Sequence, residues 1–369
     1  MTHTGPPKLE LVSLRKEYDG GDVVAVENLN LSVQPGETLA ILGPSGCGKS
    51  TTLNMIVGIE TPTSGDVLID GVSVLDQPAG RRSVGLVFQD YAVFTHMTVA
   101  QNLAFGLKVR GVAKSEIARA VGETADMLGL TGHLNLRADR LGGSELQRVA
   151  IGRTLVTKPA LLLLDEPLSN LETEMRAAMR RELRRLQQEI GLTIIYVTHD
   201  QIEALSLAQR IAVMSHGKLR QCATTDVVYE QPAHTFVAGF IGAPPMNILH
   251  GAFETRNGES AFVAGPVKID APSGFGPGPS HRRGLMGVRP DAITLAAPAE
   301  GAATATVRRI EPLGAEAVLT LDINGQHLAA TAPARNCPSE GDHVALMFDH
   351  DRVAFFDADS LRNLRDVTA

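Results

Sequence analysis

From Leu9 to about Phe240, short apolar runs alternate with segments of helical period, and after Gly242-Ala-Pro-Pro this alternation stops. The first pattern predicts a mainly parallel sheet covered by helices, because a strand buried on both faces reads as an unbroken apolar run. Thr38–Leu42, Leu161–Leu164 and Thr193–Val197 are the expected core strands. Over 174–191, Met175, Met179, Leu183, Leu186 and Ile190 recur at helical spacing, while Arg176, Arg180, Arg181, Arg184 and Arg185 fall elsewhere. This predicts an amphipathic helix with a solvated basic face. Between Ala100 and Arg140 the helical spacing continues through Ile117, Val121 and Leu128 with no strand, which predicts a helical subdomain, about 92–155, inserted in the α/β core of residues 1–240. The remainder, 241–369, carries β-like runs at Ala305–Ile310, Ala317–Ile323 and His343–Met347 between Gly, Pro and Asn turns, and is expected to be a separate small β domain. Its Gly- and Pro-rich stretch 272–283 is expected to be a mobile loop.

The strand Leu39–Leu42 runs into Gly43-Pro44-Ser45-Gly46-Cys47-Gly48-Lys49-Ser50-Thr51, which satisfies G-x-x-x-x-G-K-[ST] and opens a helical segment, Thr52–Val57. Glycines let successive N–H groups point inward and the helix N-terminus adds positive potential. Lys49 is then expected to reach the β and γ phosphates, and the Ser50 hydroxyl to take Mg²⁺. Those amides and Lys49 should also favour the thiolate of Cys47. Alone, the loop specifies nucleotide binding without choosing among kinases, GTPases and ATPases.

A second strand, Leu161–Leu164, ends in Asp165-Glu166-Pro167. Asp165 is expected to hold Mg²⁺ through water, and Glu166 to polarise an attacking water as general base. Ahead of it lies Leu141-Gly-Gly-Ser-Glu-Leu-Gln-Arg148, a short loop opening a helix, and behind it a third strand ending at His199-Asp200.

Composition removes several classes. With 369 residues, 44% hydrophobic and 20% charged, the chain has the make-up of a folded protein of two or three domains. A net charge of -7 supplies no overall basic field, so nucleic acid is disfavoured as a partner. No apolar run approaches the ~20 residues that span a bilayer, the N-terminus lacks the layout of an export signal, and Cys47, Cys222 and Cys337 are an odd set better suited to a reducing compartment. A cytosolic location is expected.

The order of these motifs resembles the ABC ATPase family, and more narrowly the ATPase subunits of carbohydrate importers of the maltose and glycerol-3-phosphate type, over essentially the whole chain. The resemblance implies that Tyr18 stacks on adenine, that Gln89 in Val87-Phe-Gln-Asp-Tyr senses Mg²⁺ and water, and that His199 is the switch histidine at the γ-phosphate. It also implies that Tyr229-Glu-Gln-Pro, Phe236-Val-Ala-Gly-Phe-Ile-Gly and Pro245-Met-Asn form the join to an OB-like regulatory domain, to which Gly287-Val-Arg-Pro-Asp and Glu311-Pro-Leu-Gly belong. The implied assembly is two ATPase chains closing head to tail on ATP and Mg²⁺ at the cytoplasmic face of the membrane, beside two transmembrane permease subunits served by an extracytoplasmic solute-binding protein. A sugar, polyol or glycerol phosphate is the implied solute. Two rivals stand beside this reading: a soluble ABC ATPase acting on DNA or ribosomes, and a regulatory subunit that binds ATP without turning it over.

The family's signature loop, Leu-Ser-Gly-Gly-Gln, is donated across the dimer to the partner's nucleotide. Here the aligned residues are Leu141, Gly142, Gly143, Ser144 and Glu145. The serine has moved, and a carboxylate stands near several phosphate charges, which should weaken the clasp unless Glu145 turns away or is paired. Glu172, in Ser169-Asn-Leu-Glu172, replaces the family's aspartate, and Thr95 its proline. The resemblance implies that the signature loop and Glu172 meet a partner, whereas little is expected from Thr95, so both a homodimer and a heterodimer with a second ATPase stay open.

Overall fold

A computed structural model describes residues 5–256, 259–271, 281–298 and 303–365; the loop expected at 272–283 falls, over 272–280, outside them. The chain divides into two compact units, Met1–Thr225 and Asp226–Ala369.

The first unit opens with β1 (Leu9–Tyr18), β2 (Val23–Val33), β3 (Thr38–Leu42) and the helix α1 (Lys49–Val57). It continues through β4 (Ser64–Ile69), β5 (Val72–Ser73) and β6 (Val84–Val87). Three helices follow without a strand between them: α2 (Val99–Val109), α3 (Lys114–Met127) and α4 (Gly143–Leu155). Then come β7 (Leu161–Asp165), α5 (Thr173–Ile190), β8 (Thr193–Thr198), α6 (Gln201–Leu207), β9 (Arg210–Ser215) and β10 (Lys218–Thr224).

Six strands form a sheet in the order β10-β9-β3-β8-β7-β6, parallel from β9 to β6, and β2-β1-β4-β5 form a second, antiparallel sheet. Alternation on the parallel strands explains why they read as unbroken apolar runs. Leu161, Leu163, Ile195 and Val197 enter one core with Leu39, Ile41 and the α1 residues Leu53 and Ile56. Leu162, Leu164, Ile194 and Tyr196 enter the opposite core with the helices α2 to α5. Both faces are covered, so the strand interiors are apolar and the buried polar residues Thr38, Thr193, Thr198 and Ser215 sit at strand ends.

Helix α5 buries Met179, Leu183 and Leu186, leaves Met175 half-buried and Ile190 exposed, and stops at Gly191, whose φ of 64° suits a residue without Cβ. Helix α2 starts at Thr98, whose hydroxyl accepts from the Gln101 amide while Gln101 bonds back to the Thr98 amide.

In the second unit α7 (Thr225–Glu230) and α8 (Thr235–Phe240) precede ten strands: β11 (Asn247–Arg256), β12 (Glu259–Ala264), β13 (Val267–Asp270), β14 (His281–Val288), β15 (Ile293–Ala296), β16 (Thr304–Leu313), β17 (Glu316–Ile323), β18 (Gln326–Pro333), β19 (His343–Phe348) and β20 (Val353–Asp357). They form two five-stranded antiparallel sheets, β13-β12-β11-β14-β20 and β15-β19-β16-β17-β18, around one core that includes Phe262, Leu319 and Phe355. The fold is thus a P-loop α/β core with a helical insertion, followed by a small all-β OB-like domain.

The compact units divide at 225/226, ahead of the join expected at 240/241. Arg289, with no exposed surface, donates to the carbonyls of Tyr229, Ala238 and Ile241 and lies 4.2 Å from the centre of the Tyr229 ring. These bonds fasten residues 229–241 to the β unit. Among the described residues no helix is long and apolar enough to cross a membrane.

Candidate functional site

The loop Gly43–Gly48 joins β3 to α1, and its backbone conformation dictates its glycines. A Cβ on Gly43 would stand 2.3 Å from the Met214 carbonyl oxygen. Gly48 has φ of 103°, and a Cβ there would stand 2.4 Å from the Ala25 carbonyl oxygen. Gly48 gives α1 no side-chain cap, so the first amides of the helix lack an anionic or hydroxyl partner from that position. Lys49 is buried, and its ammonium donates to the carbonyls of Gly43 (2.7 Å) and Pro44 (3.1 Å), closing the loop on itself. Ser45, Gly46 and Ser50 are exposed, and Thr51 is half-buried. The loop is thus packed tightly from beneath at Gly43 and Gly48 while Ser45, Gly46 and Ser50 stay exposed, an arrangement that leaves it open to a phosphate chain.

Cys47 corrects an expectation. It is buried, and burial pushes its thiol above the ordinary range although the Lys49 ammonium, 4.0 Å away, pulls the other way. Desolvation of the thiolate outweighs the nearby cation, so Cys47 is held as the neutral thiol.

Interior strand β7 ends at Asp165, so Asp165 and the following Glu166 stand at the C-terminal end of the parallel sheet, the end at which β3 runs into the loop. Burial raises the Asp165 carboxyl above its usual range, the neighbouring Glu166 charge raises it further, and Lys49 opposes both. Glu166 sits in the left-handed region (φ 43°), its amide bonded to the Val197 carbonyl at 2.9 Å. Such a conformation in a non-glycine residue is strained and is found where surroundings dictate it. Here it turns the carboxylate into a constellation: one oxygen lies 3.0 Å from His199 Nδ1, and the other accepts from Gln89 Nε2 at 3.4 Å. Gln89 Nε2 also lies 3.3 Å from Ser169 Oγ, and Asn170 donates to the Gln89 carbonyl at 2.9 Å.

The structure therefore brings Gln89, Glu166 and His199 together, and sets Asp165 in the field of Lys49. Tyr18 ends β1, and its ring contact is with the Lys16 ammonium, 4.9 Å from the ring centre. The stretch Leu141–Glu145 forms the N-terminal entry to α4; Glu145 turns its carboxylate back to the Gly142 amide at 2.6 Å, and Leu141 packs against the helical core. Sequence reasoning passed over the individual contributions of Ser169 and Asn170. Their signal was position, three and four residues after the catalytic-type acid. Among the described residues no group of three or more His, Cys, Asp and Glu side chains is placed to hold a metal ion.

A nucleotide cradle with a glutamate and histidine at neighbouring strand ends, in a core with a helical insertion, defines an ATPase of the P-loop class. Family models match residues 26–169 as ABC transporter and 286–356 as TOBE domain. The trehalose/maltose import ATP-binding protein MalK of Thermococcus litoralis is 42% identical over 95% of this chain and 97% of its own length. An sn-glycerol-3-phosphate import ATP-binding protein UgpC of Rhizobium johnstonii is 42% identical over 96% of this chain and 95% of its own. A dimeric ATP-binding cassette in a post-hydrolysis state, bound to ADP and Pi, superposes with TM-score 0.53 at 30% identity, covering 59% of this chain and 98% of that one. The chain belongs to the ATP-binding subunits of ABC importers that carry a TOBE domain, and it is an ABC-type ATPase.

Proposed function

We propose that this chain powers uptake of a carbohydrate, polyol or glycerol-phosphate solute by closing as a pair, head to tail, on ATP. Glu166 is the general base: it takes a proton from water, whose oxygen attacks the γ-phosphorus as the bond to ADP breaks. The carboxylate held between His199 and Gln89 carries this reading. His199 orients Glu166 and reads the γ-phosphate, while Gln89 reports its presence. The loop Gly43–Thr51 and Lys49 bind the phosphates, and Tyr18 supports the adenine. Ser50, Asp165 and Gln89 would hold Mg²⁺, which neutralises phosphate charge when bound.

The partners follow from the relatives' names and from the surface. Phe88 (39%), next to Gln89 in the chain, and Phe105 (38%) and Val109 (73%), one turn apart on α2, are exposed large apolar side chains, of the kind a permease subunit would cover. The chain would act peripherally at the cytoplasmic face, beside two transmembrane permease subunits and, through them, a solute-binding protein. Leu141–Glu145 of each copy completes the other's site. The Glu145 bond to its own helix favours a homodimer, because the carboxylate is paired rather than aimed at a phosphate.

Steady-state hydrolysis by the purified chain tests the proposal. Wild type should hydrolyse Mg-ATP cooperatively, and Glu166→Gln should lose at least a hundredfold in kcat while still binding ATP. Hydrolysis unaffected by Glu166→Gln removes Glu166 as the base; hydrolysis that appears only with a second, different ATPase chain replaces the homodimer.

A further inference from the structure

The basic stripe of α5 reads in the sequence as a solvated face, and Arg185 bears this out by pairing on the surface with Glu182 at 2.7 Å. Arg176 behaves differently. It is half-buried, its Nε donates to the Leu171 carbonyl at 2.8 Å, and its terminal nitrogen donates to the Ser169 carbonyl at 3.2 Å. One planar guanidinium thus spans the turn 169–171.

That turn touches the reacting groups on both sides. Ser169 donates its hydroxyl to the Glu166 carbonyl at 2.9 Å and receives Gln89 Nε2 at 3.3 Å; Asn170 holds the Gln89 backbone at 2.9 Å. The carbonyls that Arg176 binds belong to the same residues, or the next one along. Both of these guanidinium bonds go to main-chain oxygens, so they act on backbone geometry.

We infer that Arg176 is a positioning residue for hydrolysis: by fixing the turn Ser169–Leu171 it holds Gln89 against the Glu166 carboxylate. This role rests on Glu166 being the base. A fork with fixed geometry suits two carbonyls better than the single ammonium of lysine, and a loose turn would misplace Gln89 by enough to slow the chemical step without touching the phosphate loop.

The test uses the full chain and compares Arg176→Met, Arg176→Lys, Asn170→Ala and Arg176→Met/Asn170→Ala, with Arg181→Met as an exposed arginine on the same helix. The expected result is a kcat lower by tenfold or more for Arg176→Met, an intermediate kcat for Arg176→Lys, and wild-type kcat for Arg181→Met. ATP affinity, measured with each change placed in a Glu166→Gln background, should stay within twofold. The double variant should be no slower than Arg176→Met alone, since both changes release the same turn. A kcat for Arg176→Met within twofold of Arg181→Met, affinity falling in parallel with kcat, or losses that multiply in the double variant would each overturn it. Should the methionine variant not fold, a kcat for Arg176→Lys within twofold of Arg181→Met overturns it equally. Glu166→Gln run alongside separates the two ideas: turnover that survives that change refutes the base and the role of Arg176 together, whereas turnover that depends on Glu166 but ignores Arg176 refutes the role of Arg176 alone.

Discussion

Glu145 returns its carboxylate to the backbone N–H of Gly142, 2.6 Å away, and a Cβ placed on Gly142 would stand 2.8 Å from that same oxygen. Glycine at 142 leaves this capping box one-sided: the Glu145 carboxylate reaches back to the Gly142 amide, and no side chain at 142 answers it as Thr98 answers Gln101. The bond satisfies a free amide and sets a negative charge at the positive end of α4, together contributing about 1 kcal/mol. It also occupies a donor at the loop proposed to meet a partner's phosphate. Glu145→Gln should then lower stability slightly and raise kcat/KM for ATP several-fold. Gly142→Ser/Ser144→Gly/Glu145→Gln should raise it further, as read by steady-state hydrolysis. Unchanged kinetics in both variants would mean that the carboxylate does not compete at all.

Cys47 should resist alkylation at neutral pH. Burial raises its thiol, so the thiolate is scarcer than in an ordinary cysteine and iodoacetamide labelling should climb about tenfold per pH unit through pH 9 without a plateau. Cys222, pushed up to about 11 by burial, should be slow as well, leaving half-buried Cys337 to label first. A thiol raised in the folded chain contributes nothing unfavourable below the ordinary thiol range and costs stability as pH rises past it, because the unfolded chain ionises first. Mg-ATP should slow Cys47 labelling further; a plateau below pH 8 would show a thiolate after all.

How far the site was legible depends on what each position must do. Gly43, Gly48 and Lys49 could be read because backbone geometry leaves little choice of residue there, and Leu161–Leu164 because a strand buried on both faces has no polar positions. Glu166, Gln89 and His199 were legible as an ordered set but not as a contact: nothing in spacing says that one carboxylate lies between the other two. The Cys47 reading failed because a sequence shows the neighbouring lysine and not the burial that outweighs it. Arg176 was hidden among four other arginines of identical periodicity, since direction within a stripe is decided by the loop preceding the helix. The attachment of residues 229–241 was not legible because α7 and α8 look like a continuation of the helical pattern, while the residue that binds them, Arg289, lies far along the chain.

Glu172 begins α5 as its N-cap, yet its side chain makes no capping bond. Glutamate is one methylene too long for the short reach to the N2 or N3 amide that aspartate makes. Glu172→Asp should stabilise the first unit by about 1 kcal/mol, seen as a higher urea midpoint with unchanged slope. No shift in midpoint would mean that water already serves those amides equally well.

Arg289 ties residues 229–241 to the β unit through three carbonyls, those of Tyr229, Ala238 and Ile241, while burial lowers its guanidinium from the usual range. Since it is fully buried and its charge is met mainly by carbonyl dipoles and the Tyr229 ring, its removal by Arg289→Met leaves those oxygens without donors at about 1 kcal/mol each, or about 3 kcal/mol together. The loss should not be shared evenly. Amide exchange should accelerate through α7 and α8, whereas the strands around Phe262 and Phe355, which keep their own apolar core, should stay protected. Arg289→Lys should recover part of the protection, because an ammonium can reach one or two of the carbonyls but cannot lie flat on the Tyr229 ring. Uniform acceleration across the β unit would instead make Arg289 a core residue of the whole unit rather than the tie for one segment.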